Sequence, residues 1–337
     1  MKASLTLTVI GLLSFWLARS VQAEQARFDQ LNSKAVQLYG EGKYDEAVTA
    51  GEEALKLAEE TLPPGDKDLI VVLENLAASY VGAKKPDQAK ATYERILTLK
   101  DQDPATSPAS KARTLYSLGI VAIDQTNWPA AEDCFKRCLE IHEKASGPDH
   151  NDTITTVRSL AWAYQNQKKY TEELPLLERA RIAWEKTKGP DSPEVGTADY
   201  NLGVISGKLK RKADMERYYK AALAIRQKHP GEKDADLINT LVDLSNLYRL
   251  DENYKAAEPL YKQLLPLQEK NLGKENPALL PTLHGYLEVV GWTEDEKHVF
   301  HGLNKKNTAD ALTKRIHRLE ELDPKKDESS KAKRPAK

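Results

Sequence analysis

The sequence predicts an all-α solenoid of antiparallel helix pairs, on three observations. A leucine recurs at Leu76, Leu118, Leu160, Leu202 and Leu244, each 42 residues after the last. Two further columns keep the same step: Ala54, Ile96, Cys138, Ala180, Ala222 and Leu264, then Gly147, Gly189, Gly231 and Gly273. Within each period the apolar residues follow helical spacing, and no segment alternates apolar and polar residues with β-branched enrichment.

The elements follow in chain order. Residues 1–23 have the layout of a secretory signal: Lys2, an apolar stretch from Ala3 to Ala18, then Arg19-Ser20-Val21-Gln22-Ala23. The apolar stretch is shorter than the roughly 20 residues that span a bilayer. Cleavage between Ala23 and Glu24 is therefore expected over retention as an anchor, and the protein is expected to be exported, to a periplasm or outside the cell. No cysteine near the junction offers a lipidation site.

Residues 24–306 read as about six full repeats and a degenerate seventh. The first, near Leu31 to Asp68, has Tyr39 one residue out of step with Tyr80, which reads as a shorter interhelix loop, Gly40-Glu41-Gly42-Lys43. In the sixth, Leu237, Leu241, Leu244 and Tyr248 form one helical stripe, and Ala257, Tyr261, Leu264 and Leu265 a second, across a turn at Glu252-Asn253. Gly189-Pro190-Asp191-Ser192-Pro193-Glu194 supplies a glycine stop, a serine cap and a proline in the next first turn. Asn276-Pro277 repeats that start, and Gly147-Pro148-Asp149-His150 is a variant. Pro266 predicts a kink or an early end in the second helix of repeat six. In the seventh repeat, Leu279 to about Lys306, Tyr286 stands where leucine is expected and the second helix, around Glu296–Gly302, is short. A last helix over 307–322 presents Leu312, Ile316 and Leu319 and covers the end of the stack. Residues 323–337, rich in Lys, Pro and Ser, are expected to be a disordered basic tail; it reads as solubilising, with an anionic surface as the alternative contact.

Composition bounds the function. The 337 residues carry a formal charge of -1 and are 30% charged, which excludes a multispanning membrane protein and a general nucleic-acid binder. Setting aside the signal and the tail, residues 24–322 hold 42 basic and 48 acidic side chains, so the repeats are mildly acidic. There is no Gly-rich phosphate loop, no Gly-x-Ser-x-Gly elbow and no His-Glu-x-x-His helix. His298 and His301, near Glu294 and Glu296, read as a solvated face rather than a metal site. Cys134 and Cys138, four apart on one helix, are held at about 5–6 Å between Cβ atoms, too far for a disulfide. Cys138 reads as a core residue and Cys134 as an unpaired thiol. No metal, no cofactor and no catalytic activity are expected.

The pattern Leu76-Ala77…Tyr80…Ala89…Tyr93…Ile96 resembles the tetratricopeptide repeat (TPR) signature. The longer period, Asn253-Tyr254-Lys255-Ala256-Ala257-Glu258-Pro259-Leu260-Tyr261 and Glu269-Lys270-Asn271-Leu272-Gly273 are similar to the kinesin-light-chain-type subclass. The resemblance covers residues 27 to 306. It implies a right-handed superhelical solenoid that binds a protein or peptide segment in a concave groove lined by the first helix of each repeat. The groove positions implied by the resemblance are Asn75, Tyr116, Asp124, Arg158, Trp162, Gln165, Asn166, Tyr200, Asn201, Asn246 and Arg249, with Tyr116, Arg158, Trp162 and Tyr200 as the strongest cluster. The alternative for Tyr116 and Trp162 is packing between neighbouring first helices. Lys/Asn, Asn and Lys/Arg do not align for a carboxylate clamp, so capture of a C-terminal carboxylate is not expected. The expected function is an exported protein-interaction scaffold, without motor-linked transport. The alternative is a self-assembling homo-oligomer of the cell envelope.

Overall fold

The computed structural model describes residues 26–63, 65–229, 231, 234–292 and 302–322. The expected signal with its Ala23–Glu24 junction, His298 and His301, the expected helix before Gly302, and the tail from Asp323 lie outside them. Among the described residues there are fourteen α-helices, one 3-10 turn and no strand. They pair into seven repeats: α1 (26–40) with α2 (Tyr44–Thr61), α3 (Lys67–Gly82) with α4 (Pro86–Gln102), α5 (Pro108–Asp124) with α6 (Trp128–Ser146), and α7 (Asn151–Asn166) with α8 (Tyr170–Lys188). Then come α9 (Pro193–Lys208) with α10 (Lys212–Lys228), α11 (Asp234–Leu250) with α12 (Tyr254–Leu272), and α13 (Leu280–Trp292) with α14 (Gly302–Leu322). The helices form two compact units, Met1–Leu176 and Leu177–Lys337, divided within α8 just after Pro175.

The turns inside each repeat are one design. Lys84, Thr126, Lys168, Lys210 and Glu252, one period apart, all have φ between 55° and 58°, and Gly42 takes the same place at 76°. The next residue returns its amide to the carbonyl five before it: Lys85 to Tyr80 at 2.8 Å, Lys169 to Tyr164 at 2.9 Å, Asn253 to Tyr248 at 2.8 Å. Lys43 does the same to Leu38 at 2.9 Å, so the first loop is not shorter than the others. Leu38, not Tyr39, takes the place of Tyr80; Tyr39 lies outside and meets Tyr44 edge to face at 5.4 Å. Between repeats, Gly147, Gly189, Gly231 and Gly273 have φ of 87° to 93°, as their column implies. Ser192 caps α9 through Val195 N–H, and Asn276 caps the 3-10 turn through Ala278 N–H.

Two expectations at the C-terminal end change. Pro266 does not end α12, which runs to Leu272. Pro266 and Lys262 are both exposed, so water can satisfy the carbonyl that the proline leaves without a donor. The last helix begins at Gly302 rather than at 307, because Lys305, Lys306 and Asn307 give no apolar stripe to mark its first turns. Its Leu312, Ile316 and Leu319 are buried with Leu283, Tyr286 and Val290 of α13, so α14 is the partner of α13.

The cores follow the columns. In the first compact unit Leu73, Leu76, Ile96, Leu115 and Phe135 are fully enclosed; in the second, Leu202, Leu241, Leu244, Tyr261 and Leu264 are. Three core positions of α8 and α9 break the pattern. Glu173 takes the place held by Ala89, Ala131 and Ala257, yet is only 2% exposed, and its Oε2 has no partner. Asp199, 1% exposed, replaces the Leu73, Leu115, Val157 and Leu241 column, and Arg181 replaces the facing Leu97, Leu139 and Leu223. Arg181 Nε donates to Asp199 Oδ1 at 2.5 Å.

Burial alone pushes the Glu173 carboxyl from its ordinary 4.5 up to about 7. Below pH 4.5 this group is protonated in both the folded and unfolded chain and costs nothing. Between 4.5 and about 7 only the unfolded chain ionises freely, so stability falls as pH rises through that window, by up to about 3 kcal/mol. Glu173→Ala, which restores the column, should remove this fall in thermal midpoint between pH 4.5 and 7.5. A wild-type midpoint that tracks the variant across that range contradicts the assignment.

Candidate functional site

The first helices carry the expected groove residues, and the structure sorts them by what they touch. In the first compact unit, Asn75 Nδ2 donates to Asn32 Oδ1 at 2.9 Å, and the Tyr116 hydroxyl meets Ser159 Oγ at 3.0 Å. In the second, the Tyr200 hydroxyl donates to Asp243 Oδ2 at 2.8 Å. Each bond joins residues 43 apart, from two positions before one column residue to one position before the next. These side chains are rungs between successive first helices. Burial, then the Asp243 bond, pushes the Tyr200 phenol up to about 12. Asn246 accepts from the Tyr261 hydroxyl at 3.2 Å, and Arg249 donates to Glu288 at 2.7 Å. Asn201 is half-buried.

The remaining candidates face solvent, all on α5 and α7 of the first compact unit. Asp124, Arg158, Gln165 and Asn166 are exposed, and Asn166 Nδ2 donates to the Trp162 carbonyl at 2.8 Å. Trp162 is 46% exposed and stands edge-on to Trp128, ring centres 5.4 Å apart. Of the expected cluster, Tyr116, Arg158 and Trp162 thus belong to the first compact unit and Tyr200 to the second.

Sequence reasoning missed the joint between repeats. Near the ends of α4, α6 and α10 one side chain bonds to a residue 14 positions on, in the next first helix. Lys100, 2% exposed, donates to Thr114 Oγ1 at 2.8 Å, to Ser110 O at 3.1 Å and to Glu74 at 2.6 Å. His142 Nδ1 meets Thr156 Oγ1 at 3.1 Å, and Arg226 Nη1 donates to Thr240 Oγ1 and, at 2.8 Å, to Asp236 O. Where the pair is apolar, both members are: Ala58 with Val72, and Trp184 with Ala198, hold the corresponding positions. The same column arithmetic that found the leucines would have found these pairs.

Beside Tyr116 this joint leaves a cleft of about 420 Å³ between α5, α6 and α7, lined by Arg113, Tyr116, His142, Asp152, Thr155 and Thr156 among others. Thr156 gives its hydroxyl hydrogen to Asp152 O at 2.8 Å, so His142 Nδ1 is the donor to Thr156. Cys138 is fully buried below and donates to Ala112 O at 3.3 Å; Cys134 is buried as well, and burial pushes its thiol up to about 11. Both are unpaired thiols. Among the described residues, no three His, Cys, Asp or Glu side chains converge as metal ligands.

Matches to the tetratricopeptide repeat span residues 30–102, 110–181 and 194–270, well over half of the chain. The chain belongs to the tetratricopeptide repeat family. It is of the kinesin-light-chain type: over 241 residues it is 26% identical to Protein KINESIN LIGHT CHAIN-RELATED 1 of Arabidopsis thaliana, covering 68% of this chain and 37% of that protein. It is 22% identical over 161 residues to a Clustered mitochondria protein homolog of Aspergillus clavatus, covering 48% of this chain and 13% of that one. The chain thus spans well under half the length of these curated relatives. Among solved structures, the C-terminal part of a TPR repeat-containing protein from Cytophaga hutchinsonii aligns with a TM-score of 0.58 at 14% identity, covering 87% of this chain and 97% of that one. BtubC (BKLC) from P. vanneervenii aligns with a TM-score of 0.53 at 18% identity, covering 73% and 92%. The solved-structure likenesses show the fold, an all-α TPR-like array of helix pairs; membership of the repeat family supports a protein–protein interaction scaffold.

Proposed function

We propose that the chain is an exported, non-catalytic scaffold that binds a segment of a partner protein on the first helices of its repeats, with Trp162 as the anchor. Trp162 carries the reading. A tryptophan left half in water on a helix whose other face is fully packed costs solvation that a core position would recover, and large aromatics dominate protein interfaces. Exposed Arg158 and Gln165, one turn to either side of it on α7, supply polar groups around the anchor. Export rests on the basic start, apolar middle and Val21-Gln22-Ala23 end of the first 23 residues.

The test uses full-length precursor expressed in its native host. Protein recovered from the exported fraction should begin at Glu24; recovery with Met1 among cytosolic proteins contradicts export. Partners that co-purify with it should bind Trp162→Ala at least about tenfold more weakly, while the variant keeps wild-type helicity and cooperative unfolding, its thermal midpoint lowered by only a few degrees through the lost contact with Trp128. Wild-type recovery of the same partners by the variant rejects the anchor.

A further inference from the structure

What the cleft beside Tyr116 accepts is indicated by the same molecule, two periods further along. There the Tyr200 hydroxyl bonds to Asp243, the Tyr219 ring packs 5.7 Å from the Tyr200 ring, and Gly203 has no Cβ, which would otherwise lie 2.5 Å from Tyr219. On the ring lies the Arg226 guanidinium, its carbon 4.6 Å from the ring centre, donating to Asp236 O and Thr240 Oγ1. Tyr116 has the same surroundings: Ser159 on its hydroxyl, the Phe135 ring at 5.4 Å, and Gly119, whose Cβ would lie 2.6 Å from Phe135. One member differs. His142 stands where Arg226 stands, and its short side chain stops at Thr156. The room that the guanidinium fills over Tyr200 corresponds to the open cleft over Tyr116.

The acceptors for a guanidinium remain in place. Beyond its own helix bond, Asp236 O accepts from both the Thr240 hydroxyl and Arg226, so a first-turn carbonyl at this position takes a guanidinium as an additional donor; its counterpart Asp152 O, which accepts from the Thr156 hydroxyl, has no such cation on it. The Asp152 carboxylate and the face of Tyr116 add negative potential. We propose that this cleft is a socket for the guanidinium of an arginine side chain on the bound polypeptide, lying over Tyr116 as Arg226 lies over Tyr200. This rests on the scaffold reading above and names one side chain that the bound segment carries. Arg113, exposed at the rim, works against a cation, and solvent screens it.

N-acetyl-L-arginine amide, titrated into the full chain and followed by NMR at His142 and Thr156, tests the socket. It should give a saturable shift, with N-acetyl-L-lysine amide at least about threefold weaker because an ammonium cannot lie flat on the ring, and N-acetyl-L-glutamate amide giving none. His142→Arg fills the socket from within, as Arg226 does, and should lower arginine-amide affinity at least about tenfold; Tyr116→Leu, which removes the ring face, should weaken it too, and Arg113→Ala should tighten it. Preference for the glutamate amide, no saturable arginine shift, or unchanged affinity in both His142→Arg and Tyr116→Leu overturns the proposal. Loss of the socket with Trp162-dependent partner binding intact rejects the socket alone. Arginine binding without any Trp162-dependent partner rejects the scaffold reading alone.

Discussion

Two antiparallel helices cannot enclose a core between them, so every repeat depends on the joint where its second helix ends against the start of the next first helix. At three of these joints residues 14 apart are matched, whereas at the last Gln268 and Thr282 hold the same places and the buried Gln268 Oε1 has no partner. A cation or imidazole faces a threonine at Lys100–Thr114, His142–Thr156 and Arg226–Thr240, while the corresponding sequence positions are apolar at Ala58 and Val72 and at Trp184 and Ala198. The matching has a physical basis: a buried donor without an acceptor loses its hydration with no return, and a buried hydroxyl against an alkyl group does the same. Lys100 shows the full form of the joint, since all three of its bonds are to protein oxygens and almost none of it touches water.

The same rule bears on α8 and α9, where charged residues occupy core columns that are apolar in other repeats. The Arg181–Asp199 pair keeps each charge opposite its complement where other repeats put two leucines, but one Asp199 oxygen is left without a partner. Burial raises the Asp199 carboxyl despite the arginine beside it. Replacing an apolar pair with a half-satisfied ion pair gives up stability, because the desolvation of the two charges is only partly returned by their bond. Glu173, with no cation bonded to it, has no such compensation.

Much of this was legible in the sequence. The leucine and small-residue columns located the repeats, the glycine column located their ends, and Ser192 and Asn276 announced helix starts that the structure shows capped as expected. The first repeat misled because Tyr39 resembles Tyr80 chemically, whereas the backbone turn, fixed by a positive φ at residue 42, aligns Leu38 instead. Pro266 misled because a proline on a solvated face does not end a helix that is held by its buried side. The groove candidates divided for a reason that spacing alone cannot give. Tyr116 and Tyr200 sit at exposed-looking positions of a single helix, and only the neighbouring first helix, with Ser159 or Asp243 at hand, turns their hydroxyls inward. The carry-over of an arginine site from one repeat to an open cleft in another was invisible until both surroundings could be compared.

Neighbouring repeats are held together at Lys100–Thr114, His142–Thr156 and Arg226–Thr240 through matched pairs, each acting locally. A double-mutant cycle with Lys100→Met and Thr114→Val, read as thermal and urea stability, measures this at the most buried of them. Each single change should destabilise by about 1–3 kcal/mol by leaving a buried polar group unmatched, and the double variant should cost clearly less than their sum, a favourable coupling of about 1 kcal/mol or more. Additive losses, with no coupling between the two sites, would contradict it.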